Sequence, residues 1–250
     1  MGYKSSSIKS KWVKTKWLLG SSTLRHYVPW TLPFTRGNLD KMLARHSTVY
    51  FKPTGGTGGS NIVRIKRQGN LYTTKHRRTI REHSGIEGLF GFLKARAGSE
   101  PYLLQKGIKL ASVKGRPFDI RVMVQKTGGV WTSTAIFLKI GKAGSVATNY
   151  SQGGKIGFLR QTLKEAGYEE ESIKRIRKDL EQLGVNVGKQ FDKHYKGFRE
   201  LGLDVALDKQ GWLWILEVNT RPQFYPLRNM GDRRMYRKIV SYAKQYGRTK

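Results

Sequence analysis

Residues 49–65, "VYFKPTGGTGGSNIVRI", set four glycines in a five-residue window between two runs that read as strands. That arrangement narrows the options for the fold. A Walker A loop would end in Gly-Lys-Ser/Thr and open a helix, and the dinucleotide fingerprint also opens a helix; here a strand follows. What remains is a hairpin whose tip has unusual backbone freedom. Gly55, Gly56, Gly58 and Gly59 can adopt positive φ and come close to a ligand, and successive N–H groups of this kind, running on to Ser60, form anion-binding concavities. A flexible hairpin tip fits the glycines equally well. Lys52 favours the phosphate cradle, because it ends the entering strand and can project an ammonium under the loop.

Around this hairpin the periodicity predicts a chain of alternating helices and strands. Residues 1–47 form a basic helical segment, with a helix from Ser10 to Leu19, a proline-punctuated passage, and a short helix "NLDKMLARH" capped by Asn38. "STVYFKP", "NIVRIKRQ" and "NLYTTKH" read as strands, "IEGLFGFLKARAG" as a helix ending near Gly98, and "YLLQKGI", "FDIRVMVQK" and "VWTSTAIFLKIG" as central strands. A glycine-rich passage follows. Residues 171–199 are expected to form two helices broken near "LGVNVG", and "RRMYRKIVSYAKQYG" a closing basic amphipathic helix. The expected class is α+β, or a mixed-sheet α/β fold, in two lobes.

The second constellation is the hairpin "LGLDVALDKQGWLWILEVNTRP". With Lys209 and Gln210 at its turn, Asp204 would oppose Ile215, and Glu217 and Asn219 would share the face of Asp204. Two carboxylates and an amide carbonyl are hard oxygen donors of the kind that suits Mg²⁺. Glu217 follows the apolar run "WLWIL" in a chain with only 17 acids, and a carboxylate in such company needs a cation. Asp208 reads as an ordinary turn residue.

Charge then bears on partners. The 250 residues carry 48 Lys and Arg against 17 Asp and Glu, a net +31, which predicts attraction to polyanions without identifying them. There is no cysteine, hence no disulfide framework, thiolate nucleophile or cysteine zinc site, which fits a reducing, cytoplasmic setting. No apolar run reaches the length of a membrane span. The five histidines show no metal-ligand spacing and read as structural or surface residues.

The lysine strand, the glycine-rich hairpin loop and the late Asp followed by Glu-x-Asn together resemble the ATP-grasp superfamily, and the whole run is most similar to its YheC/YheD-type members from endospore-forming bacteria. The resemblance implies ATP held between two lobes: residues 48–104 as the small lobe with the glycine loop, and residues 105–228 as the large lobe with the Mg²⁺ site. Residues 229–250 would form the closing basic helix. Lys11 and Lys52 would approach the phosphates, with the loop from Gly55 to Ser60 over them. "LLQKGI", with Gln105, Lys106 and Ile108, would be the hinge whose backbone reads adenine. Asp204, Glu217 and Asn219 would hold Mg²⁺, while Arg121, Lys139, Asn149, Gly153, Gly154 and Arg221 would line the reaction centre. Spore association is likewise implied. The chain begins almost directly at the Lys11 segment, so a full N-terminal substrate-holding domain is expected to be missing, and the hinge shows "KGIKLASVKG" where an acidic residue often binds ribose.

Three functions compete on these grounds. The first is an ATP- and Mg²⁺-dependent ligase joining a carboxylate to an amine or other nucleophile through an acylphosphate, on an acidic peptide or polymer. The second is a kinase with the same site, distinguished by a stable phosphoester product. The third is a non-catalytic protein that binds polyanions or nucleic acid.

Overall fold

The computed structural model describes residues 3, 7–56, 59, 61–143 and 153–248. The chain folds as two antiparallel sheets with helices, an α+β architecture. The first sheet has the order β1 (Thr31–Pro33), β6 (Tyr102–Lys106), β2 (Thr48–Pro53), β3 (Val63–Gln68), β4 (Leu71–His76), β5 (Thr79–Ser84). The second has the order β10 (Lys155–Phe158), β9 (Val130–Ile140), β8 (Arg116–Thr127), β11 (Glu200–Leu207), β12 (Leu213–Asn219), with the short β7 (Ser112–Val113) pairing off β8.

Each sheet has its own core. Helices α2 (Arg36–Arg45) and α3 (Gly85–Ala97) cover one face of the first sheet through Leu39, Met42, Leu89 and Leu93, packed on Val49, Phe51, Val63 and Ile65. The second sheet is covered on one face by α4 (Leu159–Glu165) and α5 (Glu170–Asp192). On the other face it packs against α6 (Arg234–Gln245) through Met123, Ala135, Phe137 and Ile239. Helix α1 (Lys11–Leu19) belongs with the second core, which Leu18 enters, and its N-cap Ser10 accepts from the Val13 amide. Residues 107–111 link the sheets: the Gly107 amide donates to Thr48, and the Ala111 amide to Leu207.

Four sequence expectations change in detail. The cap of α2 is Thr35, whose hydroxyl accepts from the Asn38 amide, so the helix starts two residues before Asn38. Residues 79–84, unassigned between the strand "NLYTTKH" and the helix "IEGLFGFLKARAG", form edge strand β5, and "TLP" pairs with β6 inside the proline-punctuated passage. The expected break near "LGVNVG" is absent, and α5 runs unbroken from Glu170 to Asp192. Its glycines serve close packing instead: a Cβ on Gly184 would come within 2.7 Å of Val124, and one on Gly188 within 2.5 Å of Trp131. The helix therefore lies closer to the sheet than any larger residue would permit.

The hairpin register is the fourth. Its turn spans Asp208 to Trp212, and Val205 faces Ile215, where a turn centred on Lys209 and Gln210 would have set Asp204 there. A bulge at Leu216 then shifts the pairing by one, so that Asp204 directly faces Glu217. Without the bulge Asp204 would oppose Leu216, and Glu217 would continue the inward set of Leu213 and Ile215. One inserted residue thus turns Glu217 out of the core and onto the face of Asp204.

Candidate active site

The polar face of the second sheet follows from the two-residue period of "FDIRVMV". Phe118, Ile120 and Val122 enter the α5-side core, and Asp119 and Arg121 point the other way. Lys139 of β9 is the register partner of Asp119, and Arg121 of β8 that of Asp204. Four adjacent positions thereby form a charged cluster. Arg121 Nε donates to Asp204 Oδ1 at 2.7 Å, and Lys139 Nζ lies 2.9 Å from the same oxygen and 3.0 Å from Asp119 Oδ1. Gly202 makes room for this: a Cβ there would meet Pro222 at 2.6 Å and the Arg121 side chain at 3.4 Å. Burial alone would raise the Asp204 pKa, but the charges and hydrogen bonds of Arg121 and Lys139 outweigh it and hold the carboxyl well below its ordinary range. Burial works against the charged forms of Arg121 and Lys139 too, and the facing carboxylates overcome it, raising both.

The first lobe contributes from above. Lys52, 7% exposed, donates to Gln105 Oε1 at 2.9 Å and to the Leu216 carbonyl at 3.2 Å, the carbonyl of the bulge residue. The Gln105 amide is itself anchored on Thr31 Oγ1. Lys11 Nζ reaches the carbonyls of Gly55 and Gly56 at 3.1 and 2.8 Å and lies 3.5 Å from Glu217. Lys14, one turn along α1, is 3.9 Å from Glu217. A small pocket between α1 and β12 is lined by Lys11, Lys14, Leu216 and Glu217. Burial pushes Lys52 down to about 8, with Glu217 acting against it and Lys11 and Lys14 adding to it; Lys14 is lowered for the same first reason.

Five cations (Lys11, Lys14, Lys52, Arg121, Lys139) and three carboxylates (Asp119, Asp204, Glu217) leave an excess of two positive charges in this cleft. Such a site suits a polyanion such as a triphosphate. The donor chemistry fits Mg²⁺ arriving with phosphates. Arg121 and Lys139 both fall on Oδ1 of Asp204, while Oδ2 is approached by the Asn219 amide at 3.4 Å, and Glu217 stands opposite. Among the described residues no group of three or more His, Cys, Asp or Glu side chains could hold an ion without such help.

The remaining expected residues lie at varying distance from this centre. Gly56 and Gly59 have the positive φ that the loop requires, 79° and 66°. Lys106 ends β6 with its ammonium 4.8 Å from the Trp214 ring centroid, and Ile108 is half-buried just beyond. Gly153 (φ 81°) and Gly154 lead into β10, whose Ile156 is the register partner of Lys139. Arg221 is exposed in the bend after β12. Gly58, Ser60 and Asn149 lie outside the described residues. Two members of the cluster went unrecognised in the sequence. Lys14 was signalled by the three-residue spacing from Lys11, and Asp119 by an acid two places from Arg121 inside an apolar run.

The described residues contain no helix long and apolar enough to cross a membrane. Residues 3–249 match the model of the YheC/D like ATP-grasp family. The endospore coat-associated protein YheD of Bacillus subtilis is 30% identical over 192 residues, 74% of this chain and 41% of the relative. YheC of the same organism, also named endospore coat-associated, is 23% identical over 220 residues, 86% of this chain and 60% of the relative. The chain therefore spans about two fifths and three fifths of the curated relatives it matches. Among solved structures, the VanG D-Ala:D-Ser ligase of Enterococcus faecalis has TM-score 0.56 at 14% identity, covering 96% of this chain and 60% of that one. D-alanyl-alanine synthetase A of Vibrio cholerae has TM-score 0.55 at 14% identity, covering 95% and 65%. These two likenesses show the fold, and the match over nearly the whole length shows the family: this chain belongs to the YheC/D-like ATP-grasp proteins.

Proposed function

We propose that the chain is an ATP- and Mg²⁺-dependent ligase that activates a carboxylate as an acylphosphate and passes the acyl group to an amine or other nucleophile, acting on an acidic peptide or polymer. The observation that carries this reading is the bulge at Leu216, which faces Glu217 with Asp204 and at the same time offers its carbonyl to Lys52 of the other lobe. When bound, Mg-ATP supplies the γ-phosphoryl group and part of the charge neutralisation.

On this reading residues 48–104 and 105–228 close on the nucleotide. Lys11 and Lys52 hold the phosphates beneath the glycine loop, and Asp204, Glu217 and Asn219 hold the metal. Arg121 and Lys139, fixed by Asp204 and Asp119, present cationic hydrogen-bond donors to the transferring group, so that catalysis is mainly positional and electrostatic. A substrate carboxylate oxygen attacks the γ-phosphorus and ADP leaves; the nucleophile then attacks the acyl carbon and inorganic phosphate leaves. Gln105, Lys106 and Ile108 border the adenine, and Gly153, Gly154 and Arg221 border the acceptor.

The test is hydroxylamine trapping. ATP-dependent hydroxamate formation from polyglutamate or another carboxylate polymer, lost in Glu217→Gln, supports the ligase. ADP release with a stable phosphoester and no hydroxamate would transfer the reading to a kinase, and no turnover with any acceptor would leave a binding protein.

A further inference from the structure

Alternation along β11 sends Leu201, Leu203 and Val205 into the α5-side core and Glu200, Gly202 and Asp204 to the other face, so Glu200 shares the face of the candidate active site, four residues from Asp204. Glu200 is fully buried. Its Oε1 accepts from the Tyr3 hydroxyl at 3.0 Å and from Arg248 Nη1, and its Oε2 accepts from the Tyr246 hydroxyl at 2.9 Å. A buried carboxylate requires a counter-charge as well as hydrogen bonds, and Arg248 supplies it. Arg248 lies just past the end of α6, where its amide donates to the Ala243 carbonyl at 2.9 Å.

Arg248 does more than neutralise Glu200. The same Nη1 donates to the Pro222 carbonyl at 3.2 Å, and the guanidinium carbon stands 4.8 Å from the Phe224 ring centroid. The side chain therefore grips residues 222–224 by backbone and by ring. That segment is the one Arg121 leans on. A Cβ on Gly202 would lie 2.6 Å from Pro222 Cβ and 3.4 Å from both Cδ and Nη1 of Arg121, so the proline and the Arg121 side chain share the room that the glycine leaves. The Gln223 carbonyl accepts from Arg121 Nη1 at 3.4 Å, and Asp204 accepts from its Nε at 2.7 Å. Two acceptors on different nitrogens fix the plane of a guanidinium, and one of the two hangs on the segment that Arg248 holds. A lysine could neutralise Glu200, but its ammonium has neither the fork nor the flat face that this grip uses.

We infer that Arg248 is a positioning residue that orients Arg121 through Pro222 and Gln223. The service of Arg121 to the transferring group rests on the proposed function; the holding of its guanidinium does not. The experiment compares the full chain as wild type, Arg248→Lys, Tyr246→Phe, Arg121→Lys and the Arg121→Lys/Arg248→Lys pair. Arg248→Lys keeps a positive charge beside Glu200 and gives up the grip on residues 222–224. Tyr246→Phe is the control, since it loosens the same Glu200 at its other oxygen and its hydroxyl bonds run to Glu200 and Gln125. Two readouts are taken: kcat and the KM for ATP in hydroxamate formation from polyglutamate, and nitrogen-15 spectra of the Arg121 guanidinium, identified by its absence in Arg121→Lys, in which restricted rotation separates Nη1 from Nη2.

Arg248→Lys is expected to lower kcat about tenfold, short of the roughly 10²–10³-fold cost of losing a transition-state donor outright, with the KM for ATP at the wild-type value. Tyr246→Phe keeps the wild-type kcat. The pair is no slower than Arg121→Lys alone, because both changes act through one group. Separate Nη1 and Nη2 signals in the wild type and in Tyr246→Phe merge in Arg248→Lys. Should Arg248→Lys fail to fold, Phe224→Leu carries the test, since it removes the ring beside the guanidinium and leaves Glu200 paired. A kcat for Arg248→Lys equal to that of Tyr246→Phe, a pair whose loss is the product of the two single losses, or Nη signals that stay apart would each overturn the assignment. If the wild type forms neither hydroxamate nor ADP, the proposed function fails, and the guanidinium spectra alone decide whether Arg248 holds Arg121.

Discussion

Replacing Asp204 by Asn keeps the shape of the side chain and removes the charge on which Arg121 and Lys139 converge. The two cations are 12% and 7% exposed at their side chains and lie 2.7 and 2.9 Å from Asp204 Oδ1. Lys139 keeps Asp119 at 3.0 Å, whereas Arg121 keeps a 3.4 Å contact to the Gln223 carbonyl and the more distant charges of Asp119 and Glu217. Removing one partner of a buried ion pair costs about 3–5 kcal/mol, and the remaining Asp119 contact places this variant toward the lower end. For a chain of this size each kcal/mol moves Tm by roughly 2–4 °C, so the melting point should fall by about 10 °C at pH 7. The pH dependence checks the cause. Because the folded pKa of Asp204 lies below its unfolded value, its contribution is complete above the unfolded pKa of about 3.9 and disappears as pH falls through the folded one. The wild type and the variant should therefore converge in Tm as pH drops below about 4. The assay is differential scanning calorimetry from pH 7 down to the acid limit of reversible unfolding. A variant with wild-type Tm at pH 7, or a difference that does not shrink in acid, would refute the argument that this carboxylate neutralises buried cations.

Glu217→Gln should differ in kind: its carboxylate is 24% exposed at 3.5 and 3.9 Å from two lysines, so stability should change by no more than about 1 kcal/mol while ATP turnover is abolished; undiminished ADP release would remove it from the metal site. Deleting Leu216 should close the bulge with Glu217 still opposite Asp204 but remove the carbonyl that accepts from Lys52, weakening Mg-ATP binding measured by calorimetry in a chain that still melts cooperatively. Lys52, held near 8 by burial, should take up a proton when phosphates bind; between pH 8 and 10 titrations in buffers of different ionisation enthalpy should show net uptake, absent in Lys52→Ala, and affinity should weaken as pH rises. Gly188→Leu should destabilise by about 1–3 kcal/mol, since any Cβ there meets Trp131; an unchanged urea midpoint would argue against the close approach of α5.

Much of the outline was legible in the sequence because local chemistry decides it. The two-residue alternation of "FDIRVMV" and "VYFKP" sorts core from polar face wherever the strand lies, and four glycines between strands mark a turn whose backbone is free to approach a ligand. The gathering of Lys52, Asp204, Glu217 and Asn219 was therefore expressible as a pattern, with the family resemblance supplying the order of the parts. Tertiary structure decided what depends on separation along the chain. The turn residues "DKQG" did not reveal the bulge at Leu216, because a register shift is set by what the strand packs against, here a core on one side and the Lys52 ammonium on the other. The glycines of "LGVNVG" looked like a break, since helix propensity sees only lost entropy; the sheet beneath, with Val124 and Trp131, makes them the residues that let the helix approach. Asp119 and Lys14 joined the site for the same reason: their partners lie 20 and 203 residues away in sequence, and only folding brings a charge within 4 Å of another at that separation.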